Sequence, residues 1–127
     1  MKILITEPQF FSEEELNEFR KCGEVQATQL SRDDLKNTVG AFDVLVIRTG
    51  TKIDREILEH AKNVKMIFSV STSIEHIDAK FADAKGIKIW YPAGYATNSA
   101  AEHTFALLMS IARKIPWAFN SVQDRKW

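Results

Sequence analysis

Arg48-Thr49-Gly50-Thr51 and Ser69-Val70-Ser71-Thr72-Ser73-Ile74-Glu75 hold the residue types best suited to gripping an anion. A guanidinium presents a planar fork of N–H donors that matches a carboxylate or a phosphate, and neighbouring hydroxyls add donors. Two blander readings stay open: Arg48 pairs with a surface carboxylate while Thr51 starts the next helix, and the serine-rich stretch caps itself. Other chemistry has less support. Gly23, Gly40, Gly50, Gly86 and Gly94 stand alone, so none builds the G-x-G-x-x-G turn that meets a pyrophosphate at a helix N-terminus. His60 and His76 have no partners at metal-ligand spacing; they read as surface histidines, and no metal is expected. Trp90, Trp117 and Phe119 read as packing residues, because no basic groove accompanies them.

Loops of this kind need strands to aim them. Ile3-Leu4-Ile5 predicts a short buried strand, and Ser12-Glu13-Glu14-Glu15 predicts a capping box opening a helix through about Cys22. Val25 to Thr28 predicts a weak second strand, and Ser31 to Asp34 a second cap before a helix ending near Gly40. Asp43-Val44-Leu45-Val46-Ile47-Arg48 is apolar and β-branched, as a strand covered by helices on both faces requires. Asp54 caps a short helix to about Lys62, Val64 to Val70 is a strand, Asp78 to about Lys85 a helix closed by Gly86, and Ile87 to Tyr91 a fifth strand broken at Pro92. Right-handed crossovers then give an α/β, flavodoxin-like, doubly wound parallel five-stranded sheet of order 2-1-3-4-5. Ligands gather beyond the carboxyl ends of such strands, which selects Glu7 to Phe10, Arg48 to Thr51 and Ser69 to Asp78.

The remaining segment predicts a long helix from Ser99, with Ser99-x-x-Glu102 as its cap and Pro116 as its kink or end. Phe105, Leu108, Met109 and Ala112 recur at helical spacing, and Leu107 and Ile111 widen the stripe beyond half the circumference. Trp117-Ala118-Phe119 begins a further turn or two. A helix this apolar wants cover from another domain or a second chain.

The chain has 127 residues, 45% hydrophobic and 27% charged, with 17 Lys plus Arg against 17 Asp plus Glu. One domain with a real core fits that size, and zero net charge gives no field for nucleic acid or anionic lipid. Cys22 is the only cysteine, which fits a reducing cytoplasm. No apolar run reaches membrane-spanning length, and the apolar start is too short for a signal sequence.

Asp43 to Thr51 followed by Ile53 and Glu56, then Glu75-His76-Ile77-Asp78, Gly86-Ile87-Lys88, Gly94 to Thr104, and Ala112-Arg113-Lys114-Ile115-Pro116 form an ordered set. In that order and spacing, with a weaker echo in Lys2 to Thr6, the chain resembles the NAD-dependent D-2-hydroxyacid dehydrogenases. The phosphoglycerate and glycerate (hydroxypyruvate) dehydrogenase branches are most similar. The resemblance implies a substrate-binding (lid) domain over 1–98 and a linking helix over 99–127 that leads toward a Rossmann domain. Lys126-Trp127 matches the family's Gly-Lys-Trp near the end of that link. The NAD loop and the catalytic Arg, Glu and His follow it in the family, so this chain is expected to be a lid-domain piece with no catalytic residues and no bound cofactor of its own. His103 falls on the linking helix and is not the catalytic His.

By the same resemblance, Arg48, Thr49 and Gly50 face a small 2-hydroxy acid such as phosphoglycerate or glycerate, together with Ser71, Thr72 and Ser73. Thr72, Tyr95 and Thr97 adjoin the nicotinamide edge, although Tyr95 and Thr97 also suit packing and capping. The family commonly has Gly-x-Gly-x-Asp where Ser71, Ser73 and Glu75 stand, and an added Cβ obstructs backbone approach and disfavours positive φ. Ala93 is likewise extra in a loop that is often Pro-Gly-Tyr. Homodimerisation is expected through Phe105, Leu108, Met109, Ile111 and Trp117. The alternative is a standalone flavodoxin-like binding or dimerising module. A phospho-acceptor or FMN-binding version fits poorly, because Arg48 and Glu7-Pro8-Gln9-Phe10-Phe11 stand where acidic or phosphate-cradling residues are needed.

Overall fold

The computed structural model describes residues 1–125; Lys126 and Trp127, matched above to the family's link, lie outside the described residues. By contact density the chain falls into two units, Met1–Ala93 and Gly94–Trp127.

In the first unit, local signals place the elements. β1 (Lys2–Ile5), β2 (Glu24–Ala27), β3 (Val44–Ile47), β4 (Met66–Ser69) and β5 (Lys88–Trp90) alternate with α1 (Glu13–Cys22), α2 (Arg32–Thr38), α3 (Arg55–His60) and α4 (Ala79–Ala84). Each helix starts on a side-chain cap: Ser12, Ser31, Asp54 and Asp78 accept from the backbone N–H of Glu15, Asp34, Ile57 and Phe81. Glu15 reciprocates from its side chain to Ser12 N–H at 2.7 Å, completing the capping box. Gly86, at φ +72°, closes α4 with a left-handed residue.

All strand pairs are parallel, in the order β2-β1-β3-β4-β5. Successive strand side chains point to opposite faces, and the core divides accordingly. Leu4, Leu45, Ile47 and Ile67 pack with Leu35, Ile57, Leu58 and Ala82 beneath α2, α3 and α4. Ile3, Ile5 and Val46 pack with Leu16 of α1, flanked by Phe19 and Phe68. Burial on both faces makes the carboxyl ends of β1, β3 and β4 a rigid platform.

In the second unit, α5 (Thr97–Ala112) is followed by α6 (Ile115–Gln123), so the expected break comes just before Pro116 and the further turns carry Trp117 and Phe119. Lys114 adopts φ +52°, ψ +36° between them, and Pro116 sits in the first turn of α6, where its missing N–H costs nothing. The start differs: α5 begins at Thr97 on an Ala96 cap without a side-chain bond, so Ser99 and Glu102 form no capping box. A backbone turn does the work, with Gly94 at φ +76° and the Thr97 N–H donating to the Gly94 carbonyl at 3.1 Å. No residue of α5 or α6 is buried.

Candidate functional site

β3 and β4 pair in register through Ile47 and Ser69, so the loops that leave them emerge side by side. Beyond the strands they are fastened again by an isolated parallel bridge between Ile53 and Ile77. There the Ile53 N–H donates to the His76 carbonyl at 2.8 Å, and the Asp78 N–H to the Ile53 carbonyl at 2.9 Å. Arg48-Thr49-Gly50-Thr51 and Ser71-Thr72-Ser73 therefore share one rim of the sheet.

The first loop is organised by a residue from β1's exit. Glu7, only 7% exposed, accepts at Oε2 from the Arg48 backbone N–H (2.8 Å) and the Thr51 hydroxyl (3.2 Å). With the Thr51 proton so used, Thr6 donates its own hydroxyl to Thr51 at 2.8 Å. Thr51 thus anchors the loop and does not start α3, which Asp54 caps. The Arg48 guanidinium lies 4.4 Å above the Phe10 ring, and among the described residues it has neither an ion pair nor a hydrogen bond. Thr49 and Gly50 are exposed, and their N–H groups have no acceptor among the described residues.

The second loop is a chain of hydroxyls ending on a histidine. Ser71 donates to the Ser73 carbonyl, so Ser69 must supply the proton to Ser71 (3.0 Å) and accept from His76 Nε2–H at 3.2 Å. Ser71 is turned inward and buried, whereas Thr72 is exposed and Ser73 half-buried. Ser71 and Ser73 both avoid positive φ, so the serines that replace the family's glycines sit without backbone strain. The N–H groups of Thr72 and Ser73 have no acceptor among the described residues. Unpaired donors thus line both loops among the described residues: one guanidinium and four backbone N–H groups.

His76 is not the surface histidine that its spacing suggested. It is half-buried and hydrogen-bonded, because the Ile53–Ile77 bridge folds its loop back against β4, whereas His60 is exposed. Burial pushes its imidazole below the ordinary 6.5, against the opposing pull of Glu7 and Glu75. A histidine with a depressed folded pKa lends stability that is complete above about pH 6.5 and is lost as pH falls through the folded value. Glu56, held down to about 2 by Lys36 and Arg32, loses its own contribution only below about pH 4.5. Unfolding midpoints are therefore expected to drop as pH falls below about 6.5, with a shallower drop in His76→Gln, whose amide can still donate to Ser69. Identical slopes for the two proteins would refute this role.

Tyr95 and Thr97 belong to the second unit, where both are exposed and Thr97 opens α5. Phe105, Leu108, Met109, Ile111 and Trp117 are exposed there as well, each by more than half. Among the described residues the glycines build no pyrophosphate cradle: Gly86 ends α4 and Gly94 starts a turn. No group of three metal-binding side chains converges among the described residues. The larger surface hollows, of about 620 and 590 Å³, lie at the opposite, amino end of the strands around Met1, Asp43 and Lys65. Size favours them, but the unspent donors are at the carboxyl rim, beside a hollow of about 220 Å³ that Gly50 and Thr51 border.

Glu7, Phe10 and His76 are the residues sequence reasoning did not place. The strand-end rule selects Glu7 to Phe10 only as a segment and assigns its residues no roles. The signal available was a carboxylate directly after an apolar strand, with no cation beside it in sequence.

Comparison with known proteins agrees with this fold. The family described as D-isomer specific 2-hydroxyacid dehydrogenase, catalytic domain, matches residues 3–124. The chain is 40% identical over 129 positions to D-3-phosphoglycerate dehydrogenase of Archaeoglobus fulgidus, covering 100% of this chain and 24% of that protein. It is 36% identical over 104 positions to hydroxypyruvate reductase of Thermotoga maritima, covering 82% of this chain and 34% of that one. A Pyrococcus horikoshii crystal structure superposes with TM-score 0.85 at 30% identity, over 99% of this chain and 38% of that chain. The chain thus spans about a quarter to two fifths of these relatives. With the strand order and a match over nearly its whole length in agreement, the chain belongs to the D-isomer specific 2-hydroxyacid dehydrogenase family.

Proposed function

We propose that this chain is the substrate-binding part of an NAD-dependent oxidoreductase acting on a small D-2-hydroxy acid such as phosphoglycerate or glycerate. The observation that carries this reading is the unpaired Arg48 guanidinium beside the unspent N–H groups of Thr49, Gly50, Thr72 and Ser73. Charge-assisted hydrogen bonds from such donors suit a carboxylate or phosphate. Ser71 acts from behind, shaping the loop. In a complete enzyme the nicotinamide would exchange hydride with the substrate's C2 carbon, and Thr72, Tyr95 and Thr97 would border it. These 127 residues alone are inactive, because they supply no nucleotide cradle. Working as a cytoplasmic homodimer through α5 and α6 completes the reading. The described residues contain no helix long and apolar enough to cross a membrane.

Two experiments test it together. The isolated chain should show no turnover with NADH and hydroxypyruvate. Grafted in place of the matching segment of the Archaeoglobus fulgidus enzyme, it should support phosphoglycerate oxidation, and Arg48→Ala should raise KM about tenfold or more with a smaller change in kcat. Turnover by the isolated chain, or a chimera indifferent to Arg48, would overturn the assignment.

A further inference from the structure

Arg48 is gripped twice by one short segment 38 to 41 residues earlier in the chain. Glu7 takes the loop's backbone, through Arg48 N–H, and its far corner, through the Thr51 hydroxyl. It also fills the space over Gly50: a Cβ there would lie 2.5 Å from Glu7 Oε1. Phe10 takes the side chain, its ring under the guanidinium. The two are spaced by a 3₁₀ turn over Pro8–Phe10, held by Phe10 N–H to the Glu7 carbonyl (3.3 Å) and Phe11 N–H to the Pro8 carbonyl (3.0 Å). Proline at the head of that turn restricts it further.

The division of labour matters chemically. Glu7 spends Oε2 on a backbone N–H and a hydroxyl and forms no ion pair with the guanidinium, so the Arg48 charge is not cancelled. The Phe10 contact is made through a ring and consumes no hydrogen-bond donor. A free arginine loses considerable rotamer freedom when it binds, and a side chain already held over a ring has less to lose. We infer that Glu7 and Phe10 are positioning residues that preset Arg48 as an anion-binding group for a carboxylate or phosphate. This rests on the reading of Arg48 as the substrate anchor.

The test uses the ¹⁵N-labelled chain itself, titrated with inorganic phosphate and separately with acetate, following the Arg48 Nε–Hε signal and the Thr49 and Gly50 amides. Shifts at these signals are expected, and the anion that binds more tightly identifies the favoured ligand group. Phe10→Ala should weaken that binding about two- to fivefold, and Phe10→Trp should retain it. Glu7→Ala should weaken it at least as much, while Glu7→Gln, which keeps an acceptor oxygen but no charge, should restore it. Phe10 is half-exposed, so its truncation leaves the core intact and keeps the test decisive should Glu7→Ala fail to fold. Unchanged affinity in Phe10→Ala, alongside loss in Arg48→Ala, would overturn the positioning role and leave the Arg48 anchor standing. Unchanged affinity in Arg48→Ala would overturn the anchor itself.

Discussion

Truncating Leu45 to alanine is expected to lower the unfolding free energy by about 2–5 kcal/mol, a large share of the roughly 5–15 kcal/mol that holds a domain of this size. Leu45 lies at the middle of β3, the central strand, and is 0% exposed. Its register partners, Leu4 on β1 and Ile67 on β4, are also fully buried, so the lost volume leaves a cavity walled by strands that hydrogen bonds hold apart. Poor collapse puts the cost toward the upper part of the range. Leu108→Ala on α5 is the matched control: the same atoms are removed where the side chain is 59% exposed. At concentrations low enough to keep the chain monomeric, that change should cost no more than about 0.5 kcal/mol. Urea midpoints with an unchanged m-value measure both, and comparable losses at the two positions would contradict the placement of the core in the sheet.

Placing a charge on α5 is expected to have the largest effect on assembly. Phe105, Leu107, Leu108, Met109 and Ile111 are all more than half exposed, as are Trp117 and Phe119 on α6. A helix apolar around most of its circumference is stable in water only when covered, and a second copy offers the same face in return. Leu108→Glu would bury an unpaired carboxylate in such an interface, at about 2–5 kcal/mol, or a dimer dissociation constant raised by more than tenfold. Sedimentation across a concentration series should show a dimer for the parent chain and a monomer for the variant, with the stability of the α/β unit unchanged. A parent chain that stays monomeric at high concentration would count against self-association through this face.

The parts of this protein that could be read from residue order are those governed by near neighbours. Ser12, Ser31, Asp54 and Asp78 act on N–H groups three residues away, so their caps were visible as spacing. Asp43 to Arg48 announced a central strand because only full burial tolerates so apolar a run. The rule that ligands collect at strand ends then pointed to Arg48 and to Ser69–Asp78 without any knowledge of contacts. Where local signals misled, another local arrangement satisfied the same backbone groups: the Gly94 turn starts α5 two residues before the Ser99 cap could act.

What residue order could not disclose is which atoms meet across the sheet. Glu7 and Arg48 are 41 positions apart, and nothing in their separation says that the carboxylate takes the backbone while a phenylalanine takes the guanidinium. His76 looked unpartnered until the Ile53–Ile77 bridge turned it toward Ser69. Strand and helix positions, helix caps and the donor-rich composition of the rim follow from short-range chemistry, which a linear chain carries in full. The orientation of that rim follows from parallel pairing of β1, β3 and β4, which brings three distant strand exits within hydrogen-bond reach and exists only once the sheet has formed.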